Sequence, residues 1–221
     1  MLNEKGLDRG LAAGVEFFCM GVSASETHSQ KNTGMGAREA LSRILAIARR
    51  AASAGATVQL SVQSAFGCGY EGAIPASHVL EIAGRFLDEG FRTISLADTA
   101  GHATPPRVTA LFEALMTAAP DAEYACHFHD TYGLAMANAS AALEAGVHAF
   151  EAAFGGLGGC PFTALAGGNL CTEDFVHLLQ RGHLRTHIDL SGLIDLAREA
   201  GVFFNRALPG IVHRAGPIPW R

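Results

Sequence analysis

The chain has 221 residues, with 16 basic and 21 acidic side chains and a formal net charge of -5. This length suffices for one large hydrophobic core, and we expect a single domain over residues 1–221. The acidic balance and the lack of lysine or arginine runs argue against a nucleic-acid partner, and no apolar stretch reaches the roughly 20 residues of a membrane span. The expected partner is a small molecule, and the expected location is the cytoplasm.

The cysteines give no sign of a disulfide framework or of a zinc ribbon. No two of them form a C-x-x-C pair, and their number is odd. They lie at positions 19, 68, 126, 160 and 171. Reduced thiols are therefore expected.

Short apolar and β-branched runs, bounded by turn or polar signals, predict five buried strands. They cover residues 15–22, 57–64, 93–97, 123–128 and 149–154. Apolar residues at helical spacing predict helices before, between and after these strands. The helices cover residues 3–13, 37–54, 131–145, 173–181 and 190–200, a segment around Val79 to Phe86, and a segment that opens with Thr104 as N-cap and Pro105 in the first turn.

The strict alternation of strand and helix favours a parallel sheet covered by helices, either an open doubly wound sheet or a TIM (β/α)8 barrel. Polar residues collect at the ends of several strands, which favours the barrel. These residues are Ser23, Glu26, Ser64, Cys68, Asp98 and His129. A Rossmann sheet would instead show a G-x-G-x-x-G turn after its first strand, and the sequence has none there.

A complete barrel needs eight strands, and the sequence predicts five. The predicted fold is therefore α/β, an incomplete TIM (β/α)8 barrel of about five C-terminal βα units followed by C-terminal helices. We expect about three βα units to be missing from the N-terminus, through truncation, a misplaced start codon or supply from another chain.

Two histidines in the segment ACHFHDTYG form the strongest local signal. His127 and His129 lie two residues apart on a predicted strand, so both side chains point to the same face and can reach one ion. The pair is a candidate metal site; the alternative is that both residues only line a polar barrel mouth. Asp130 and Thr131 are expected to cap the next helix.

A glycine-dense loop over residues 155–169 follows the last predicted strand. Its Cys160 is a candidate acid or nucleophile, although a lone cysteine is usually inert. Its Asn169 can offer a carbonyl oxygen to a hard cation, or can simply take a turn conformation.

Three carboxylates are candidates for the site. Asp98 ends the run TISLAD, where a barrel presents catalytic groups, but a loop or N-cap carboxylate fits the same position. The same two interpretations, a catalytic group or a loop or N-cap carboxylate, apply to Glu26. Glu173 stands at a helix start, where a carboxylate favours the helix dipole without any catalytic role.

Eight segments together resemble the 3-hydroxy-3-methylglutaryl-CoA lyases, within a larger family of metallolyase barrels. In chain order they are KGLDRGLAAGVE, SASETHSQKN, GCGYEG, ISLADTAG, HFHDTYG, GLGGCPF, GGNLCTED and FFNRALPG. The loop GLGGCPF distinguishes the lyases from the related condensing synthases, which use a different loop there.

The resemblance implies an enzyme that needs a divalent metal, Mg²⁺ or Mn²⁺. It implies that His127, His129 and Asn169 are metal ligands. It also implies catalytic roles for Cys160, as the loop thiol, for Asp98, as a carboxylate, and for His127.

The same resemblance implies an acyl-CoA substrate and a homo-oligomer, a dimer. Asn205 falls where the family contacts CoA, although Ala207 replaces the lysine expected nearby. The family's Arg-Asp-Gly motif, which supplies a fourth metal ligand, has no counterpart in residues 1–14. Weak metal binding and poor catalysis by this chain alone are therefore expected.

The reaction implied is a metal-assisted retro-Claisen cleavage of 3-hydroxy-3-methylglutaryl-CoA to acetoacetate and acetyl-CoA. Two alternatives stay open. The chain is either a related acyl-CoA lyase or aldolase with another substrate, or a non-catalytic barrel remnant that works by association.

Overall fold

The computed structural model describes residues 3–159, 161–162 and 167–218. Within them five parallel strands form one sheet in the order β1-β2-β3-β4-β5. The strands are β1 (Phe17–Ser23), β2 (Thr57–Gln63), β3 (Thr93–Asp98), β4 (Glu123–Phe128) and β5 (Ala149–Glu151). Each strand pairs with the strand next to it in sequence, as right-handed crossovers through helices produce.

Helices connect the strands and complete the C-terminal part of the chain. They are α1 (Glu4–Ala12), α2 (Glu26–Thr33), α3 (Ala37–Ser53), α4 (Ala76–Asp88), α5 (Pro105–Ala118), α6 (Ala135–Glu144), α7 (Thr172–Arg181), α8 (Leu190–Phe203) and α9 (Val212–Ala215). A single 3-10 turn, Phe154–Gly156, follows β5.

The predicted strands and helices are confirmed, with shifted ends. The strand predicted over 149–154 stops at Glu151, because the chain turns into the 3-10 segment. The helix predicted over 131–145 begins at Ala135, whose N–H donates to the Asp130 carboxylate. Asp130 thus satisfies the first N–H of the helix, although Leu134 is the N-cap residue, and the Thr131 hydroxyl, also expected to cap, has no hydrogen-bond partner among the described residues.

Helix α2 was not predicted, because its sequence ETHSQKNT has no apolar face at helical spacing. The residues at its two ends, rather than an apolar face, indicate the helix. The Ser25 hydroxyl accepts from the His28 N–H at the first turn, and Gly34 ends the helix in a left-handed conformation. Tertiary position and caps, rather than hydrophobic periodicity, thus account for this helix.

The two faces of the sheet differ in chemistry. The face under the helices carries apolar side chains that are fully buried, and each is worth about 1.5–3 kcal/mol of transfer free energy. They include Leu60, Val62, Ile94, Leu96 and Phe128. The opposite face, called the lumen face below, carries Gln59, Ser61, Ser95, His127 and Glu151. The polar side chains in the middle of the sheet thus lie on the lumen face, whereas Asp98, at the end of β3, faces the helices.

The sheet is open at both ends in the described part of the chain. β1 pairs with β2 alone and β5 with β4 alone. Phe17, at the start of β1, is 50% exposed. No helix among the described residues is long and apolar enough to cross a membrane.

Candidate active site

The predicted histidine pair lies on the lumen face at the end of β4. His127 is the last strand residue but one, Phe128 turns toward the helices, and His129 follows. The two imidazole rings meet edge to face with their centroids 4.9 Å apart. The structure thus brings both rings together, as the two-residue spacing requires.

The ring of His129 is held in one tautomer. Its Nδ1 lies 3.0 Å from the backbone oxygen of Asp98, and a carbonyl oxygen only accepts, so Nδ1 carries the hydrogen. The lone pair is then on Nε2. Burial, and secondarily the neighbouring His127, lower the pKa of His129. The ring is therefore neutral and able to bind a metal ion.

Asn169 lies directly beside His129. The two residues form an isolated antiparallel bridge, and the Asn169 side-chain amide donates to the Leu157 carbonyl at 2.7 Å. Its carbonyl oxygen Oδ1 is buried and has no hydrogen-bond partner among the described residues. A buried acceptor without a partner costs about 1–3 kcal/mol, and a cation at this point would satisfy it.

Two imidazole nitrogens and an amide oxygen are ligands that a divalent cation accepts. The unsatisfied Oδ1 of Asn169, next to an oriented His129 ring, makes the predicted set His127, His129 and Asn169 fit such an ion. The role of these three residues as metal ligands stays a prediction.

Glu151 is a site residue that was missed from the sequence. One of its oxygens lies 3.1 Å from Nδ1 of His127, and the other accepts from Gln59 at 2.7 Å and from Ser95 at 3.2 Å. Burial opposes ionisation here, but the hydrogen bonds, led by that of His127, hold the pKa of Glu151 below its ordinary value. A lone carboxylate in the apolar run AFEAAF was the available signal.

The cavity beside these residues measures about 300 Å³ and opens on the lumen face. Its lining includes His28, Gln63, His127, His129 and Glu151. That volume suits a small acyl group with several polar contacts, at the lower end of the range for ligand pockets.

The HMGL-like family profile matches residues 1–199. The chain is also 35% identical over 207 residues to hydroxymethylglutaryl-CoA lyase YngG of Bacillus subtilis, which covers 94% of this chain and 69% of that protein. The chain belongs to the HMGL-like family. It is therefore a member of a family of carbon–carbon lyases.

Two further similarities refine this placement of the HMGL-like chain. (R)-Citramalyl-CoA lyase of Chloroflexus aurantiacus is 36% identical over 216 residues, 98% of this chain and 68% of that protein. The structure of an HMG-CoA lyase from Acinetobacter baumannii, in complex with coenzyme A and 3-methylmalate, superposes with a TM-score of 0.93 at 34% identity. The match covers 99% of this chain and 71% of that one, so the five strands form part of a TIM barrel.

Asp98 does not face the cavity of this HMGL-like chain. It is fully buried, and its carboxylate accepts from the N–H groups of His102 at 2.8 Å and Ala103 at 3.0 Å. Burial raises the pKa of Asp98 to about 6. The loop-carboxylate alternative thus describes its contacts, and its catalytic role stays a prediction.

Glu173 lies in the first turn of α7, as predicted, and is fully buried. Its carboxyl oxygens accept from the Gly155 N–H at 2.9 and 3.1 Å, and one lies 3.1 Å from Nδ1 of the buried His213. The neighbouring Asp174 accepts from the N–H groups of Ile211 and Val212. The two carboxylates therefore join the start of the loop to the C-terminal segment.

Cys171, Glu173 and Asp174 offer ligand atoms within 4.8 Å of one another. Backbone N–H groups already bond both carboxylates, and burial raises the pKa of the Cys171 thiol far above its ordinary value. A thiol must be deprotonated to bind a metal ion. We therefore interpret this cluster as stabilising the fold rather than as a metal site.

Asn169 and Asn205, like Asp98, are not among the residues that line the cavity. Cys160 lies outside the described residues. Asn205 is exposed in the turn after α8, with a positive φ of 47°. Its predicted role with CoA stays a prediction.

Proposed function

We propose that this HMGL-like chain is a lyase that needs Mg²⁺ or Mn²⁺ and cleaves 3-hydroxy-3-methylglutaryl-CoA to acetoacetate and acetyl-CoA. The observation that carries the proposal is the buried, unsatisfied Oδ1 of Asn169 beside the oriented ring of His129. His127 and His129, which line a cavity of acyl-group size, would hold the ion together with Asn169, the bridge partner of His129.

A bound cation would supply Lewis acidity toward the hydroxyl and carboxylate oxygens of the substrate. Loss of the tertiary hydroxyl proton lets the carbon–carbon bond break to acetoacetate and the acetyl-CoA enolate. We assign Cys160 to protonate the enolate carbon. Asp98 is the candidate base or base-orienting group.

The acyl substituent is open within the proposal, because a citramalyl-CoA lyase resembles the chain as closely as the hydroxymethylglutaryl-CoA lyase does. Parallel assays with 3-hydroxy-3-methylglutaryl-CoA and citramalyl-CoA distinguish the two. We expect faster release of acetyl-CoA, the product that both cleavages share, from the former. Preferred cleavage of citramalyl-CoA would move the substrate assignment and leave the lyase chemistry in place.

We further propose slow turnover. The three donors assigned to the ion are neutral, whereas Mg²⁺ and Mn²⁺ prefer anionic oxygen. We also propose CoA binding at Asn205, a homodimer and a cytoplasmic location. Turnover as fast as that of the Bacillus subtilis relative under the same conditions would contradict the proposal of slow turnover.

The substitution Cys160→Ala tests the acid assignment. We expect turnover to fall by about 10²- to 10⁴-fold, the usual worth of a positioned acid, while Mn²⁺ affinity stays within about twofold. Calorimetric Mn²⁺ titration and an acetoacetate assay measure both. Cys126→Ala is the control, because that thiol is buried on the helix side of β4. Unchanged turnover in Cys160→Ala would remove the residue from the mechanism.

A second candidate function is association without catalysis, and the open outer edge of β1 favours it. An unpaired strand edge beside the half-exposed Phe17 is a ready surface for another chain. Sedimentation velocity over a range of concentrations tests this function. Strong self-association together with no metal-dependent acetoacetate release would select it over the lyase.

A further inference from the structure

Glu151 is the centre of a polar cluster that spans four consecutive strands on the lumen face. Gln59 of β2, Ser95 of β3 and His127 of β4 all direct a donor at its carboxylate. The bonds measure 2.7, 3.2 and 3.1 Å respectively. The carboxylate is therefore held in one place by three strands other than its own.

This arrangement fixes the tautomer of His127. An ionised carboxylate only accepts, so the 3.1 Å contact requires the hydrogen on Nδ1 of the ring. Nε2 then keeps its lone pair and points away from Glu151. Gln59 and Ser95 both donate to Oε1 of Glu151, so Oε2 is left to accept from His127.

The contact also brings charge to an otherwise neutral set of donors. His129 is bonded to a backbone carbonyl and Asn169 to another, so neither gains an anionic partner from these bonds. Of the described side chains that bond the three proposed ligands, Glu151 is the one with a charge. A carboxylate on the far nitrogen of an imidazole orients the ring and strengthens it as a ligand.

We propose that Glu151 is a positioning residue that fixes His127 as an Nε2 ligand and delivers negative charge to the metal site through the imidazole ring. The inference rests on the proposed metal site. It assigns to Glu151 a role that acts on the ion through the His127 ring.

Two substitutions separate the orienting role from the charge. Glu151→Gln keeps an oxygen that can accept from His127 but removes the charge, and we expect about 10-fold weaker Mn²⁺ binding with the Nδ1–H tautomer retained. Glu151→Ala removes both, and we expect about 100-fold weaker binding. In the metal-free Ala variant, nitrogen-15 NMR should show His127 as a mixture of both tautomers.

Glu123→Gln is the matched control. It removes the same charge from the same sheet, at the exposed opposite end of β4. We expect Mn²⁺ affinity within about twofold of the parent chain. Dissolved ions screen an exposed charge beyond a Debye length of about 8–10 Å, and Glu123 lies at the other end of β4 from His127.

The outcomes distinguish this inference from the proposed function. If the parent chain binds Mn²⁺ and both Glu151 variants bind it equally well, the inference is overturned and the metal site stands. If the parent chain binds no Mn²⁺, the metal site fails and the inference fails with it. A tautomer mixture at His127 in the metal-free parent chain overturns the orienting role by itself.

Discussion

Replacing His129 by alanine is expected to abolish measurable Mn²⁺ binding and to lower turnover by at least about 10³-fold, which corresponds to about 4 kcal/mol of activation free energy. His129 is 7% exposed, and its ring is held by the Asp98 carbonyl. Its loss leaves Asn169 and a single imidazole for the ion. Calorimetry and an acetoacetate assay give the two readouts.

The control for this substitution is His148→Ala. His148 is exposed before β5, and only its backbone oxygen has a described role, as the acceptor of a bond from Arg185. We expect Mn²⁺ affinity and turnover to match the parent chain. Retention of Mn²⁺ binding by a folded His129→Ala variant would contradict the assignment of this histidine as a ligand.

Replacing Glu173 by alanine is expected to lower the free energy of unfolding by about 3 kcal/mol or more. The substitution leaves two buried groups, the Gly155 N–H and the His213 ring, without their acceptor, at about 1–3 kcal/mol each. It also leaves a cavity at a fully buried position. Urea denaturation monitored by circular dichroism measures the change.

A double-mutant cycle with His213→Ala isolates the contact. If the pair is coupled, the double variant should lose less stability than the sum of the two single variants, by about 0.5–3 kcal/mol. Glu173→Gln keeps an acceptor for the Gly155 N–H and should be intermediate. A loss below about 1 kcal/mol in Glu173→Ala would show that the carboxyl group does not join the loop to the C-terminal segment.

The sheet could be predicted from the sequence because its strands are short apolar runs bounded by turns, and all five appear where such runs occur. Helix α2 could not be predicted in this way, since it contains no apolar stripe. The early end of β5 at Glu151 was also missed, because the run AFEAAF continues in apolar residues through the 3-10 turn.

The candidate site was predictable where it depends on local spacing. A spacing of two residues on a strand puts His127 and His129 on the same face of the sheet, and the structure shows both side chains there. The direction of Asp98 was not predicted: Ala97 pairs with His127 across the sheet, so Asp98 faces the helices, and this pairing is seen only in the structure.

Contacts between residues far apart in sequence could not be predicted from one sequence. The bond between Glu151 and His127 joins two strands, and the bond between Glu173 and His213 joins two distant helices. The bridge that sets Asn169 against His129 depends on how the loop returns to the sheet. Local periodicity contains no information on any of these partners.

The central claim is carbon–carbon cleavage at a metal site built by His127, His129 and Asn169. The measurement that tests it most directly is release of acetoacetate from 3-hydroxy-3-methylglutaryl-CoA by the purified chain, with and without Mn²⁺. We predict slow release that requires Mn²⁺ and is lost in the His129→Ala variant. Release at the same rate without Mn²⁺, or none under either condition with citramalyl-CoA also intact, would contradict the claim.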